Sequence, residues 1–196
     1  MNSKVALIIG AGTSLGSSIT KVFADDNFTV VPVRREGEKL KPLEEEINSK
    51  GGKCFSFSLD ARKEDEVQNF IERVELEIGE IEIAIYNIGA NIKYNLTETS
   101  SKKYFKVWEM ATFGAFLMGR EVAKNMIKRK RGTIIFTGAT ASIRGGDGFS
   151  AFSGSKNAKR ALAQSMAREL GPKGIHVAHI IICLLYTSDA ADEQFG

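Results

Sequence analysis

VALIIGAGTSLGSSITKVFADDNFTVVPVRR, residues 5–35, reads as a strand, a glycine loop, a helix and a second strand. Val5 to Ile9 is apolar at every position, as a strand covered on both faces requires. Gly10, Gly12 and Gly16 follow at once, where the chain must turn and where a helix begins. A phosphate can approach backbone N–H groups only where side chains are absent, and a helix start adds unpaired donors and the positive end of its dipole. Gly10, Gly12, Thr13, Ser14, Leu15 and Gly16 are therefore expected to cradle the pyrophosphate of a nicotinamide dinucleotide. Leu15, Ile19, Val22 and Phe23 give the first helix an apolar stripe. The second strand, Thr29 to Val33, ends on Arg34 and Arg35. A carboxylate at that place would accept ribose hydroxyls; two guanidinium groups favour a 2′-phosphate by charge and bidentate geometry, so NADP(H) is expected over NAD(H).

Outward from this unit the same alternation continues. Further strands are expected at Cys54–Ser58, Glu82–Tyr86, Gly132–Thr137 and Ile175–Ile182, and Val67, Phe70, Ile71, Val74 and Ile78 line another helix. The fold class is α/β, a Rossmann-like doubly wound parallel sheet in three αβα layers, with one domain over 1–182 truncated after the sixth strand. The 27 basic and 24 acidic residues are interspersed, leaving a net charge of +3 and no polybasic arm for nucleic acid or membrane. No signal peptide or membrane span is legible, which gives a cytoplasmic expectation. Cys54 and Cys183 are too few for a disulfide framework, and no metal site is expected. Cys54 reads as a small buried hydrophobe. The segment CLLYTSDAADEQFG, residues 183–196, breaks the pattern and resembles the translation of a transposase sequencing adapter. It is expected to be foreign to the fold.

Together these residues resemble a short-chain dehydrogenase/reductase across Val5 to Ile182. GAGTSLG is similar to the family's TGxxxGxG, with Ile9 and Ser14 in place of the threonine and middle glycine. Asp60, with Ala61 beside it, stands where the family's adenine-contacting aspartate follows the third strand. Tyr86-Asn87-Ile88-Gly89 stands for NNAG, and FSGSKNAKRALAQSMARELGPKGIHV resembles the active-site helix and following strand, with Lys156 as the lysine of YxxxK. The resemblance implies cofactor contacts from Asn87, Gly89 and Lys156, a small-molecule substrate, and a homo-oligomer, dimer or tetramer, built on the helix containing ALAQSMARELG.

The resemblance breaks at the chemistry. In the family a tyrosine hydroxyl exchanges the proton, a serine holds the carbonyl and an asparagine anchors a water relay. Here those positions are Phe152, Ala139 and Ala111, and the variant with tyrosine seven residues before the lysine meets Phe149. Of the catalytic set only Lys156 remains. Three readings stay open: an oxidoreductase whose proton donor has moved, with Thr140, Ser142, Ser150, Ser153 and Tyr86 as candidates; a binder without turnover; and a reductase of activated alkenes. His176 and His179 are expected to be satisfied within the sheet, and KNMIKRKRG to be a solvated helix end.

Overall fold

The computed structural model describes residues 4–183. Its strands are β1 Lys4–Ile9, β2 Thr29–Arg34, β3 Lys53–Cys54, β4 Phe57–Ser58, β5 Glu80–Tyr86, β6 Gly132–Ala139 and β7 Ile175–Ile182. The helices are α1 Leu15–Asp25, α2 Lys41–Ser49, α3 Glu64–Arg73, α4 Ser101–Trp108, α5 Gly114–Arg129 and α6 Ser150–Leu170. All pairings are parallel, in the order β3-β2-β1-β5-β6-β7, with β4 also beside β2. This is the expected doubly wound sheet. Its order reverses at β1, between β2 and β5, and a crevice outside the carboxyl ends of those strands is where such a sheet receives ligands.

The period of two along β1 sorts the layers. Val5, Leu7 and Ile9 enter the core that α3, α5 and α6 cover with Val67, Phe70, Leu117 and Ala163. Ala6 and Ile8 enter the core on the opposite face, with Leu43 and Ile47 of α2 and the partly buried Ile19 and Phe23 of α1. The exclusion of β1 from water on both sides explains its uninterrupted apolar run.

Four local expectations change. The stripe of α1 is rotated: Val22 is 58% exposed, and the buried positions are Gly16 and Thr20. The single third strand is two short pieces, because the Glu44 carboxylate accepts hydrogen bonds from the Ser56 backbone and hydroxyl and takes that residue out of the ladder. The basic end of α5 is only partly solvated. Arg129 is a bidentate partner of Glu75 (2.6 and 3.0 Å) and reaches the Ile81 carbonyl, while Arg131 pairs with Glu80 and Glu82. His176 is exposed, and the buried Nε2 of His179 has no hydrogen-bond partner among the described residues. Cys54 is buried as expected, and burial pushes its thiol up to about 12.

No helix among the described residues is long and apolar enough to cross a membrane. Of the segment 183–196, Cys183 is the last described residue, and 184–196 lie outside the described residues.

Candidate functional site

A groove of about 250 Å³ runs along the carboxyl ends of β2, β1 and β5, lined among others by Gly10, Gly12, Arg34, Arg35, Asp60, Ala61, Asn87 and Gly89. Residues far apart in sequence thus meet on one surface.

The floor is held by backbone. Gly10 has φ +95°, and a Cβ there would stand 2.9 Å from the Asn87 carbonyl carbon and from Ile88 Cγ1. The Asn87 N–H donates to the Ile9 carbonyl at 2.8 Å and its side-chain amide to the Gly10 carbonyl at 3.1 Å. Asn87 therefore locks the loop after β5 to the loop after β1. A Cβ on Gly16 would stand 2.6 Å from Ala11 Cα, which is how α1 starts so close to β1. Gly12 differs: a Cβ there would meet no atom within 4 Å, so this glycine leaves room in the groove rather than serving packing. Thr13, Ser14 and Leu15 are exposed at the rim. The Ser14 side chain caps nothing; of the first N–H groups of α1, that of Ser17 donates to the Gly12 carbonyl at 3.0 Å, and those of Leu15 and Gly16 precede the first intrahelical bond. A phosphate fits this set of glycines and free donors.

At the β2 end Arg34 is half-buried and Arg35 exposed. The nearest carboxylate, Glu36, is drawn to Lys39. Neither arginine makes an ion pair among the described residues. Asp60 is engaged, accepting from Arg62 Nε at 2.8 Å and Nη2 at 2.5 Å, and the Arg62 hydrogen bond holds its carboxyl below the usual range. Arg62, which also lies 3.7 Å from Glu109, was not legible as a site residue, because an arginine in the loop after a strand is solvated by default.

At the other end stand Ala111, Ala139 and Phe152, the positions at which a departure from the family pattern was expected. Ala111 lies in a π-helical turn, Glu109–Phe113, that joins α4 to α5. Such a turn leaves carbonyls without helical donors, and Tyr86 uses one: its hydroxyl donates to the Met110 carbonyl at 2.7 Å. Gly114 makes space, since a Cβ there would overlap the Tyr86 hydroxyl. Tyr86 is fully buried and burial raises its phenol well above the ordinary range, so it has no proton to offer a substrate. Ser142 accepts the Ala139 N–H, and the Thr140 hydroxyl donates to Cys183 Sγ at 3.3 Å, which commits the Thr140 proton within the protein. Ser150 and Ser153 have buried hydroxyls without partners.

Phe152 is 7% exposed, and the Lys156 amine lies 5.5 Å from its ring centroid and 3.1 Å from where a Gly89 Cβ would be. Lys156 donates to the Thr137 carbonyl at 3.2 Å. One turn further, Lys159 is wholly buried; its amine donates to the Ile88 carbonyl at 3.2 Å and stands 5.5 Å over the Tyr86 ring. Burial pushes the Lys156 pKa down, and burial together with the Lys156 charge pushes that of Lys159 down much further.

The family model described as short chain dehydrogenase matches residues 4–194. The crystal structure of a short-chain dehydrogenase from Rhodopseudomonas palustris is similar, with 51% sequence identity, a TM-score of 0.88, and 92% of this chain and 84% of that one covered. A metagenomic short-chain oxidoreductase in complex with NADP is 25% identical, with a TM-score of 0.86 over 92% of this chain and 82% of that one. NAD+-bound xylitol dehydrogenase is 26% identical, with a TM-score of 0.88 over 93% and 70%. Against curated relatives the chain spans from 26% to 78% of the relative's own length.

Proposed function

The chain belongs to the short-chain dehydrogenase family, and from that premise we propose that it is an NADP(H)-dependent oxidoreductase that transfers hydride to or from a small carbonyl or alcohol. The observation that carries the reading is the groove from Gly12 to Gly89, with two unpaired arginines at one end and Lys156 at the other. Bound there, a nicotinamide supplies hydride chemistry. The protein's own part begins with the glycine loop and the start of α1, whose N–H groups face a pyrophosphate. Arg34 and Arg35 meet a 2′-phosphate, Asp60 and Ala61 border the adenine, and Asn87 and Gly89 shape the floor toward the nicotinamide. Lys156 stands beside the reacting end. We also propose assembly into a dimer or tetramer; Phe105, Trp108, Phe113 and Phe116 form a stacked aromatic row along α4 and α5, and Phe105 is 59% exposed.

Titration of the protein with NADPH and NADH tests the cofactor preference. NADPH is expected to bind tighter, and Arg34→Ala with Arg35→Ala to weaken it about 10- to 100-fold, the worth of one charge-assisted contact, with little change for NADH. Equal weakening of both cofactors would remove the arginines from phosphate recognition. Oxidation of NADPH by a panel of carbonyls and enones tests the reaction. Tight binding with no oxidation would favour the second reading, a binder without turnover, which the loss of tyrosine, serine and asparagine at Phe152, Ala139 and Ala111 makes concrete.

A further inference from the structure

Lys159 is the largest unexplained polar investment in the molecule. Its side chain is among the most buried of all, with one carbonyl as its acceptor. It lies three residues after Lys156, so both amines leave the same face of α6 and converge on the carboxyl ends of β5 and β6, at Ile88 and Thr137. They come close enough to each other to form a hydrogen-bonded pair. The titratable groups around them are His179 from β7, Tyr86 from β5 and Tyr104 of α4 beside Gly154; Arg160 of α6 acts on His179. No carboxylate is paired with either lysine among the described residues. Two ammonium groups buried together without a counterion repel each other and forfeit hydration, so the pair holds one proton where two lysines in water hold two. The two differ: Lys159 lies deeper and its charge is the more disfavoured, while a hydrogen bond to its amine favours the charged form of Lys156.

We propose that Lys156 is the proton donor of this site in place of the missing tyrosine, and that Lys159 is a positioning residue whose neutral amine, as acceptor, holds that proton on Lys156. The inference rests on the reading of the protein as a reductase. In the reduction direction the carbonyl carbon receives hydride with its electron pair from a reduced nicotinamide, and the C=O π pair moves to oxygen. The oxygen takes one proton from the Lys156 ammonium. The products are the alcohol, the oxidised nicotinamide and two neutral amines. Water restores the proton at Lys156, which is 5% exposed where Lys159 is 0%. Phe152 contributes by excluding water from the Lys156 amine rather than by exchanging a proton.

Two replacements of Lys159 separate the acceptor from the titrating amine. Lys159→Met removes both, whereas Lys159→Gln removes the titrating amine and keeps an oxygen that can accept from Lys156. Without any ligand, the unfolding stability of the wild type is expected to rise between pH 6 and 8, because the unfolded chain binds a proton at Lys159 that the folded one does not. Both variants should lose that rise; equal slopes in all three proteins would mean that Lys159 is charged when folded, and the proposal would fall. With NADPH and a carbonyl substrate, the alkaline loss of kcat is expected to begin at least one pH unit lower in Lys159→Met, and within half a unit of wild type in Lys159→Gln, with KM for NADPH changed less than threefold. A Met profile that coincides with wild type overturns the role of Lys159 while leaving the reductase reading intact. A wild type that leaves NADPH unoxidised with every carbonyl offered overturns both together.

Discussion

At the scale of the residue, an aromatic ring closes the groove beside Gly89: the Lys156 amine lies 5.5 Å from the centroid of Phe152, which differs from a tyrosine by one oxygen. Phe152→Tyr is therefore expected to fold normally and to raise carbonyl reduction only about 10-fold, below the usual worth of a positioned acid because the Lys156 ammonium already serves as one, as measured by NADPH oxidation under saturating substrate. An unchanged rate would mean that this position no longer faces the reacting carbonyl. The glycines and arginines that line the groove were legible because glycine spacing and strand-end charge have few other uses. Lys159 was not: a lysine in a helix is solvated by default, and only the packing of α6 on β5 and β6 turns this one inward. Asp60 was legible as a position, but its engagement by Arg62 depends on a loop geometry that no periodicity encodes.

At the scale of the element, the junction of α4 and α5 shows how a neighbouring side chain satisfies a freed backbone group. In the π-helical turn around Ala111, Tyr86, rising from the end of β5, donates to the Met110 carbonyl. This arrangement depends on Gly114, where a Cβ would overlap the Tyr86 hydroxyl and stand 2.7 Å from the Ala61 carbonyl. Gly114→Ala should cost about 1–3 kcal/mol, as overpacking of a tight site does, readable as a lowered Tm. In the double variant with Tyr86→Phe much of that cost should return. A stable single variant would show that the turn can shift without loss. The sequence carried α3 and β1 well, since each has an unbroken stripe or run. It misjudged the third strand, because Ser56 has ordinary strand character and its contact with Glu44 takes it out of the ladder, while the Phe55 N–H still donates to Val30 of β2.

At the scale of the whole molecule, the basic groups gathered under the sheet's carboxyl edge make stability depend on pH. Burial, reinforced by nearby lysine charge, pushes the pKa of His179 down to about 4. The unfolded chain binds that proton near 6.5, so the folded state binds fewer protons between those values and loses stability as pH falls through them. His179→Val is expected to flatten the dependence of unfolding free energy on pH between 4 and 6.5, measured by denaturant titration; an undiminished slope would place the effect elsewhere. The doubly wound order also has a consequence in time. β1 is made early, but its second neighbour β5 begins only at Glu80, and Asn87 must arrive before Gly10 has its lock. Pairings so distant in sequence require loop closure before any contact offsets it, which slows folding. A partly synthesised chain therefore holds an unfinished sheet and no groove. A ligand of that groove recognises only completed molecules, and by mass action it draws the last stage of assembly toward completion.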